Sequence, residues 1–295
     1  DLDRLEYRLI VTDRTGSTHV ECDPGNPTTV TTAFGDRSVA LLPGYTAPGW
    51  LEARVAPGTT TNLTYQAEDI GELPIAVWAA EGLPTETSAP LLVCHDGPEY
   101  AVQASLTRCA AAMVAAGTLP PFRIALMQPV SRDDWYSANP TYTAAELAAL
   151  DLVATHVSVG AAPVVMGASL GGLCALVTAL AAQPRFAGVF TQSGSFFTRA
   201  LDPQESTYPY FERVVEVVEE VTASPAPDHV LRIGMTCGAL EENFANNAEL
   251  AAVLSSHGHH VDFRTLRDLH NYVAWRDALH PALTDLLRSV WARCG

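Results

Sequence analysis

A serine nucleophile is the first chemistry the sequence offers. Pro163-Val164-Val165-Met166 reads as a short strand, Gly167-Ala168-Ser169-Leu170-Gly171-Gly172 follows, and an apolar helical pattern continues over 170–182. This is a G-x-S-x-G nucleophile elbow in the strand-to-helix setting that gives the motif meaning. The spacing has a steric cause, because a sharp turn holds Ser169 in a strained backbone while glycines two residues to either side keep side chains out of the neighbouring elements. The N-terminus of the helix then favours developing negative charge. Such a serine carries out acyl transfer through a covalent intermediate. A Gly-rich turn before any packed helix would give the same string by chance, so the motif needs its partners.

A base and an acid must follow Ser169, in the chain order serine, acid, histidine that this elbow uses. The histidines beyond it are His229, His257, His259, His260, His270 and His280. His229 opens a strand, residues 257–260 sit in the turn before another, and His280 lies within the last helix. His270 falls between the last strand and the last helix, at the sheet edge that presents catalytic groups, and is the expected base. The acid is expected after the strand at 230–235, where Glu241 and Glu242 stand side by side and one can serve only as a helix cap. Asp268 is a weaker rival, since two residues of separation rarely reach the same imidazole. The run His257-Gly258-His259-His260 suggests a metal, but adjacent strand residues face opposite sides, so neither a metal nor a cofactor is expected.

These residues need a sheet to hold them. From about residue 88, β-rich runs at 91–94, 123–127, 163–166, 188–191, 230–235 and 261–265 alternate with helical patterns at 101–116, 144–157, 170–182, 208–222, 246–257 and 272–292. That alternation predicts an α/β fold with a mostly parallel central sheet over 86–295. Residues 1–85 read instead as a short β-rich N-terminal unit, with strands at 5–11, 38–41, 51–55 and 62–66 between Pro-Gly turns, and 84–90 as the linker. The 27-residue stretch from Val157 to Gln183 carries no charge. Its glycines and Pro163 break it into strand, turn and helix, so it predicts a buried βα unit rather than a membrane span.

Composition removes other chemistries. All 17 basic residues are arginine, so a Walker loop, a Schiff base and a Ser-Lys dyad are excluded for want of lysine. A net charge of −16 repels nucleic acid and anionic lipid, and neither is an expected partner. The six cysteines at 22, 94, 109, 174, 237 and 294 form no C-x-x-C pair and are expected mostly as buried thiols. The sequence opens without a basic-then-apolar leader, and a cytoplasmic location is expected, with a secreted or periplasmic one as the alternative.

Several of these segments resemble the enterochelin esterase branch of the esterase D family, within the α/β-hydrolases. The resemblance covers most of 90–292 and rests on Leu92-Val93-Cys94-His95-Asp96-Gly97, on the Ser169 elbow, on Thr191-Gln192-Ser193-Gly194-Ser195, on Glu241-Glu242-Asn243 with Asn247, and on His270-Asn271-Tyr272 with Trp275-Arg276. It implies Ser169 as nucleophile, His270 as base and Glu242 as the acid. It also implies an oxyanion hole from the Leu170 N–H and one in the Asp96-Gly97 turn. Asp23-Pro24-Gly25-Asn26-Pro27 is similar to the end of the family's β-sandwich domain, here shortened. Two departures bear on specificity: Asp268-Leu269 replaces a glycine pair before the histidine, and Phe196-Phe197 replaces a Trp-rich pair.

The expected activity is a serine carboxylic-ester hydrolase acting on a small-molecule ester, with a siderophore trilactone as the resemblance-implied substrate. Arg132, Trp135, Phe196 and Phe197, all just past strands at the ligand-bearing edge, are expected to contact it. If Arg132 does not, a pairing with Asp133 or Asp134 would explain it. The alternatives are a general aryl or acyl esterase, an acyltransferase, and a catalytically silent fold used for binding.

Overall fold

The computed structural model describes residues 1–32, 35–160, 163–224 and 228–292. Strands β1 (Arg4–Tyr7), β2 (Leu9–Thr12), β3 (Thr18–Glu21), β4 (Thr29–Thr32) and β5 (Gly35–Leu41) build a small N-terminal unit, with an antiparallel sheet ordered β1-β5-β4 and a separate β2-β3 ribbon. The strand expected at 51–55 is instead a 3-10 turn over Gly49–Glu52 that buries Trp50. Arg108 donates to the carbonyls of Leu51 and Ala53, so this backbone needs no strand partner.

The remaining strands are β6 (Thr59–Ala67), β7 (Gly71–Ala79), β8 (Leu91–Cys94), β9 (Arg123–Met127), β10 (Val164–Ala168), β11 (Gly188–Gln192), β12 (Arg232–Gly238) and β13 (His260–Leu266). They form one sheet in the order β13-β12-β11-β10-β8-β9-β7-β6, parallel from β13 to β9. Strands β6 and β7 add antiparallel at one edge. The domain boundary expected at 85/86 therefore moves, since 59–79 belong to the main sheet. Pro74 hides β7 in the sequence, because proline lacks an N–H to donate; pairing with β9 begins just past it, at Ile75. Nor is 84–90 a free linker. The buried Arg123 donates to the carbonyls of Pro84, Thr85 and Thr87, pinning the segment that leads into β8.

The helices are α1 (Gly97–Val102), α2 (Leu106–Ala115), α3 (Arg132–Tyr136), α4 (Pro140–His156), α5 (Leu170–Ala181), α6 (Phe211–Ala223), α7 (Phe244–Ser256), α8 (Tyr272–Ala278) and α9 (Thr284–Trp291). The helix expected at 101–116 is divided where Ser105 takes φ 50°, and the one at 272–292 is divided at His280-Pro281, where His280 leaves helical angles. Both faces of the sheet are covered. Leu91 and Val93 of β8 point into a core with α4, α5 and α6, while Leu92 and Cys94 point into one with α2 and α9. Period-two strands buried on both sides account for their unbroken apolar character. Among the described residues no helix is long and apolar enough to cross a membrane, and β10 and α5 account for most of the uncharged run. Cys94, Cys109, Cys174 and Cys237 are buried free thiols and Cys22 is half-buried. Cys294 lies outside the described residues.

Candidate active site

Ser169 stands between β10 and α5 with φ 54° and ψ −126°, a strained conformation for a residue with a side chain. A Cβ at Gly167 would lie 2.2 Å from the Gly171 carbonyl oxygen, and one at Gly171 would lie 3.2 Å from both Asp96 Oδ2 and His95 Cβ. Gly167 is thus required by close backbone approach, and Gly171 sits tightly against the Asp96 and His95 side chains. The Ser169 N–H donates to the Gln192 carbonyl at 2.9 Å and its carbonyl accepts from the Ser195 N–H at 3.0 Å, which ties the turn to the end of β11. Its hydroxyl rests 3.2 Å from Ser195 Oγ.

His270 lies in the loop between β13 and α8. Its Nδ1 is 2.8 Å from Glu241 Oε2, and the Glu241 side chain is only 2% exposed against 40% for His270. The same carboxylate accepts from the Gly238 N–H at 2.7 Å and from Ser193 Oγ at 2.9 Å, while Trp275 Nε1 donates to Ser193 Oγ at 3.1 Å. A carboxylate on Nδ1 fixes the tautomer that leaves Nε2 to accept a proton. The residue brought to His270 is therefore Glu241 and not the expected Glu242, which is exposed on the rim. Asp268 does not reach the imidazole; it bonds Arg4, Leu269 and Asn271. The sequence also left Ser193 and Ser195 without roles, although both lie in the Thr191–Ser195 motif.

Opposite Ser169 is the turn at the end of β8. Asp96 adopts φ 51°, and a Cβ on Gly97 would lie 2.4 Å from the Leu126 Cα, so the turn packs directly on β9. The Asp96 N–H donates to Tyr136 Oη at 3.1 Å, which removes it as an oxyanion donor. Gly97 and Leu170 instead open α1 and α5, positions whose N–H groups have no intrahelical acceptor. Arg132 holds the turn from outside, with Nε 2.8 Å from Asp96 Oδ1 and Nη2 2.7 Å from Asp96 Oδ2. The arginine expected to bind substrate, or else Asp133 or Asp134, is thus forked onto Asp96.

Ser169 and His270 line two adjoining depressions. One, of about 500 Å³, runs past Ser195, Phe197, Tyr208, Leu240 and Leu269, with Glu205 and Glu242 at its edge. The other, of about 590 Å³, lies between the two units and is lined by Glu6, Thr31 and Arg37 on one side and Asp96, Glu99, Arg132, Tyr272 and Trp275 on the other. Phe197 faces the first. Trp135 and Phe196 do not line either: Trp135 stacks on Tyr142 with centroids 5.2 Å apart, and Phe196 is fully buried against Gly194.

Beneath the elbow, His95 Nε2 is 2.7 Å from Glu146 Oε1 and 3.6 Å from Cys174 Sγ, while Nδ1 is 3.1 Å from the Gly171 carbonyl oxygen. Burial disfavours the imidazolium, but Cys174 and the Glu146 carboxylate outweigh it and hold the His95 pKa well above its ordinary value. The 2.7 Å separation is a hydrogen bond, shorter than the roughly 3.3 Å between two ligands at tetrahedral zinc distances, so the cluster fits a polar network better than a metal. In the other histidine run, His259 turns inward to accept from the Leu231 N–H at 3.1 Å while His260 is exposed, so these rings diverge.

The chain is 27% identical over 247 residues to the iron(III) enterobactin esterase of Dickeya dadantii, an alignment covering 74% of this chain and 55% of that protein, so it spans about half the relative's length. The enterochelin esterase of Shigella flexneri has a similar fold, with a TM-score of 0.76 at 23% identity over 92% of this chain and 70% of that one. The S-formylglutathione hydrolase of Staphylococcus aureus aligns with a TM-score of 0.61 at 17% identity over 80% of this chain and 100% of that one. The Putative esterase family matches residues 75–286, a span that holds the elbow, the Glu241 turn and the His270 loop, and the chain belongs to that family.

Proposed function

We propose that the chain is a serine carboxylic-ester hydrolase with Ser169 as nucleophile, His270 as base and Glu241 as the acid. The observation that carries this reading is a strained serine at the head of a helix, sharing a cavity with a histidine whose Nδ1 is 2.8 Å from a buried carboxylate. The Ser169 hydroxyl turns about χ1 from Ser195 toward His270 Nε2, which takes its proton as Oγ attacks the ester carbonyl carbon. The Leu170 and Gly97 N–H groups receive the oxyanion, at about 2.7–4 kcal/mol per donor in comparable sites. The tetrahedral intermediate collapses, His270 protonates the departing alkoxide, and the acyl group stays on Ser169. Water, deprotonated by His270, then releases the carboxylic acid. Glu241 stays ionised throughout and stabilises the imidazolium.

For substrate, the Dickeya relative's name supports an ester of the enterobactin type. A smaller uncharged aryl or acyl ester is the second reading, favoured by Glu99, Glu205 and Glu242 at the cavity walls. A fluorophosphonate probe should label Ser169 in the wild type and nothing in Ser169→Ala; labelling elsewhere would sink the mechanism. Hydrolysis of a catecholate trilactone and of a p-nitrophenyl acyl ester should then be compared. Arg132→Ala should slow both alike, because Arg132 acts through the Asp96 turn. An uncleaved trilactone would leave the smaller-ester reading.

A further inference from the structure

The N-terminal strand reaches the histidine loop. Arg4 of β1 is 1% exposed, and its guanidinium donates to Glu6 Oε1 at 2.6 Å, Asn271 Oδ1 at 2.7 Å and Asp268 Oδ2 at 3.2 Å. Two of these acceptors flank His270 in the chain. Asp268 Oδ1 accepts from the Leu269 N–H at 2.8 Å and from Asn271 Nδ2 at 3.0 Å, so 268–271 is a closed hydrogen-bonded loop with Arg4 on its outer face. Its inner face rests on the turn that carries the acid. A Cβ at Gly238 would lie 2.1 Å from the Asp268 carbonyl oxygen and 2.7 Å from Glu241 Oε1.

We propose that Arg4 is a positioning residue for His270, clamping the 268–271 loop against the Glu241 turn so that the N-terminal unit sets the alignment of the base. This rests on the reading of Ser169 and His270 as nucleophile and base. A planar guanidinium holds several acceptors at fixed angles, which an ammonium does not. Without Arg4, the largely buried carboxylates of Glu6 and Asp268 share no cation, and the 268–271 loop relaxes away from Glu6. A displacement of about 1 Å in a catalytic group costs roughly 100-fold in rate.

The test compares wild type, Arg4→Met, Arg4→Lys and His270→Ala on a p-nitrophenyl ester, with rates corrected for the folded fraction measured by circular dichroism. The low-field proton resonance of the His270–Glu241 hydrogen bond is recorded in parallel. Arg4→Met should lose roughly 100-fold in kcat with little change in KM and should broaden the resonance, and Arg4→Lys should recover part of both. If Arg4→Met does not fold, the near-isosteric Asp268→Asn takes its place with the same expectation. A folded variant with wild-type kcat and an intact resonance would overturn the clamp, as would a loss that vanishes after correction. Activity retained in His270→Ala would instead overturn the catalytic reading beneath it.

Discussion

Two adjacent glutamates point in different directions, and the four-residue turn Gly238–Glu241 decides which one meets His270. The Glu241 N–H donates to the Gly238 carbonyl at 3.1 Å while Gly238 returns its own N–H to Glu241 Oε1, so the carboxylate curls back toward the sheet edge and Glu242 is left outside. The consequence is unequal. Glu241→Gln should lower kcat by roughly 10⁴-fold, because an amide at Nδ1 favours the wrong tautomer and cannot stabilise the imidazolium. Glu242→Gln should stay within about threefold, as a surface substitution does when it touches no partner. Steady-state rates on one p-nitrophenyl ester decide this, and comparable losses in both variants would remove Glu241 from the mechanism.

At the scale of elements, the end of β8, α4 and α5 meet at His95. Glu146 of α4 faces its Nε2 and accepts from Thr178 of α5 at 2.9 Å, while Nδ1 faces the first turn of α5 behind Ser169. Both ring nitrogens face oxygen acceptors, which suits the imidazolium and agrees with its raised pKa. The pH dependence follows in sign. Stability from a raised histidine pKa is fully present below the unfolded value of about 6.5 and is lost as pH rises through the folded value. Glu146→Gln should therefore melt well below wild type near neutral pH, by about 3–5 kcal/mol for a broken buried pair, and the gap should narrow on the alkaline side. Thermal melts across pH would show it; a constant gap would mean that His95 is neutral in the folded protein.

Across the whole molecule, 33 acidic residues against 17 arginines set a repulsive field for anionic ligands. Arg4 and Arg132 do little to reverse it, since Arg4 faces Glu6 and Asp268 and Arg132 faces Asp96. Salt screens such a field over a Debye length of about 10 Å at 0.1 M. If an anionic catecholate trilactone is cleaved, its kcat/KM should rise with ionic strength, whereas that of a neutral p-nitrophenyl ester should stay level. A trilactone rate that falls with added salt would show local attraction, with Arg37 on the wall between the units the first residue to substitute.

Short-range sterics wrote much of this into the sequence. The elbow at Ser169 is legible because Gly167 answers a contact with Gly171 only four residues on, and the strands at 91–94 and 123–127 are legible because burial on both faces leaves apolar runs, Leu91–Cys94 and Ile124–Met127. His270 follows from chain order and from a loop at the correct sheet edge. Long-range pairing was not legible. The Arg132–Asp96 fork spans 36 residues and the Arg4–Asp268 contact spans 264, and no local pattern says which of many carboxylates a guanidinium will meet. The same limit hid β7, whose Pro74 contradicts strand propensity until β9 supplies a partner one residue further on. Local backbone preference determines which elements form and which residues stand at their ends; only tertiary packing decides which side chains face one another, because burial and charge pairing are settled by what the fold brings across the sheet edge.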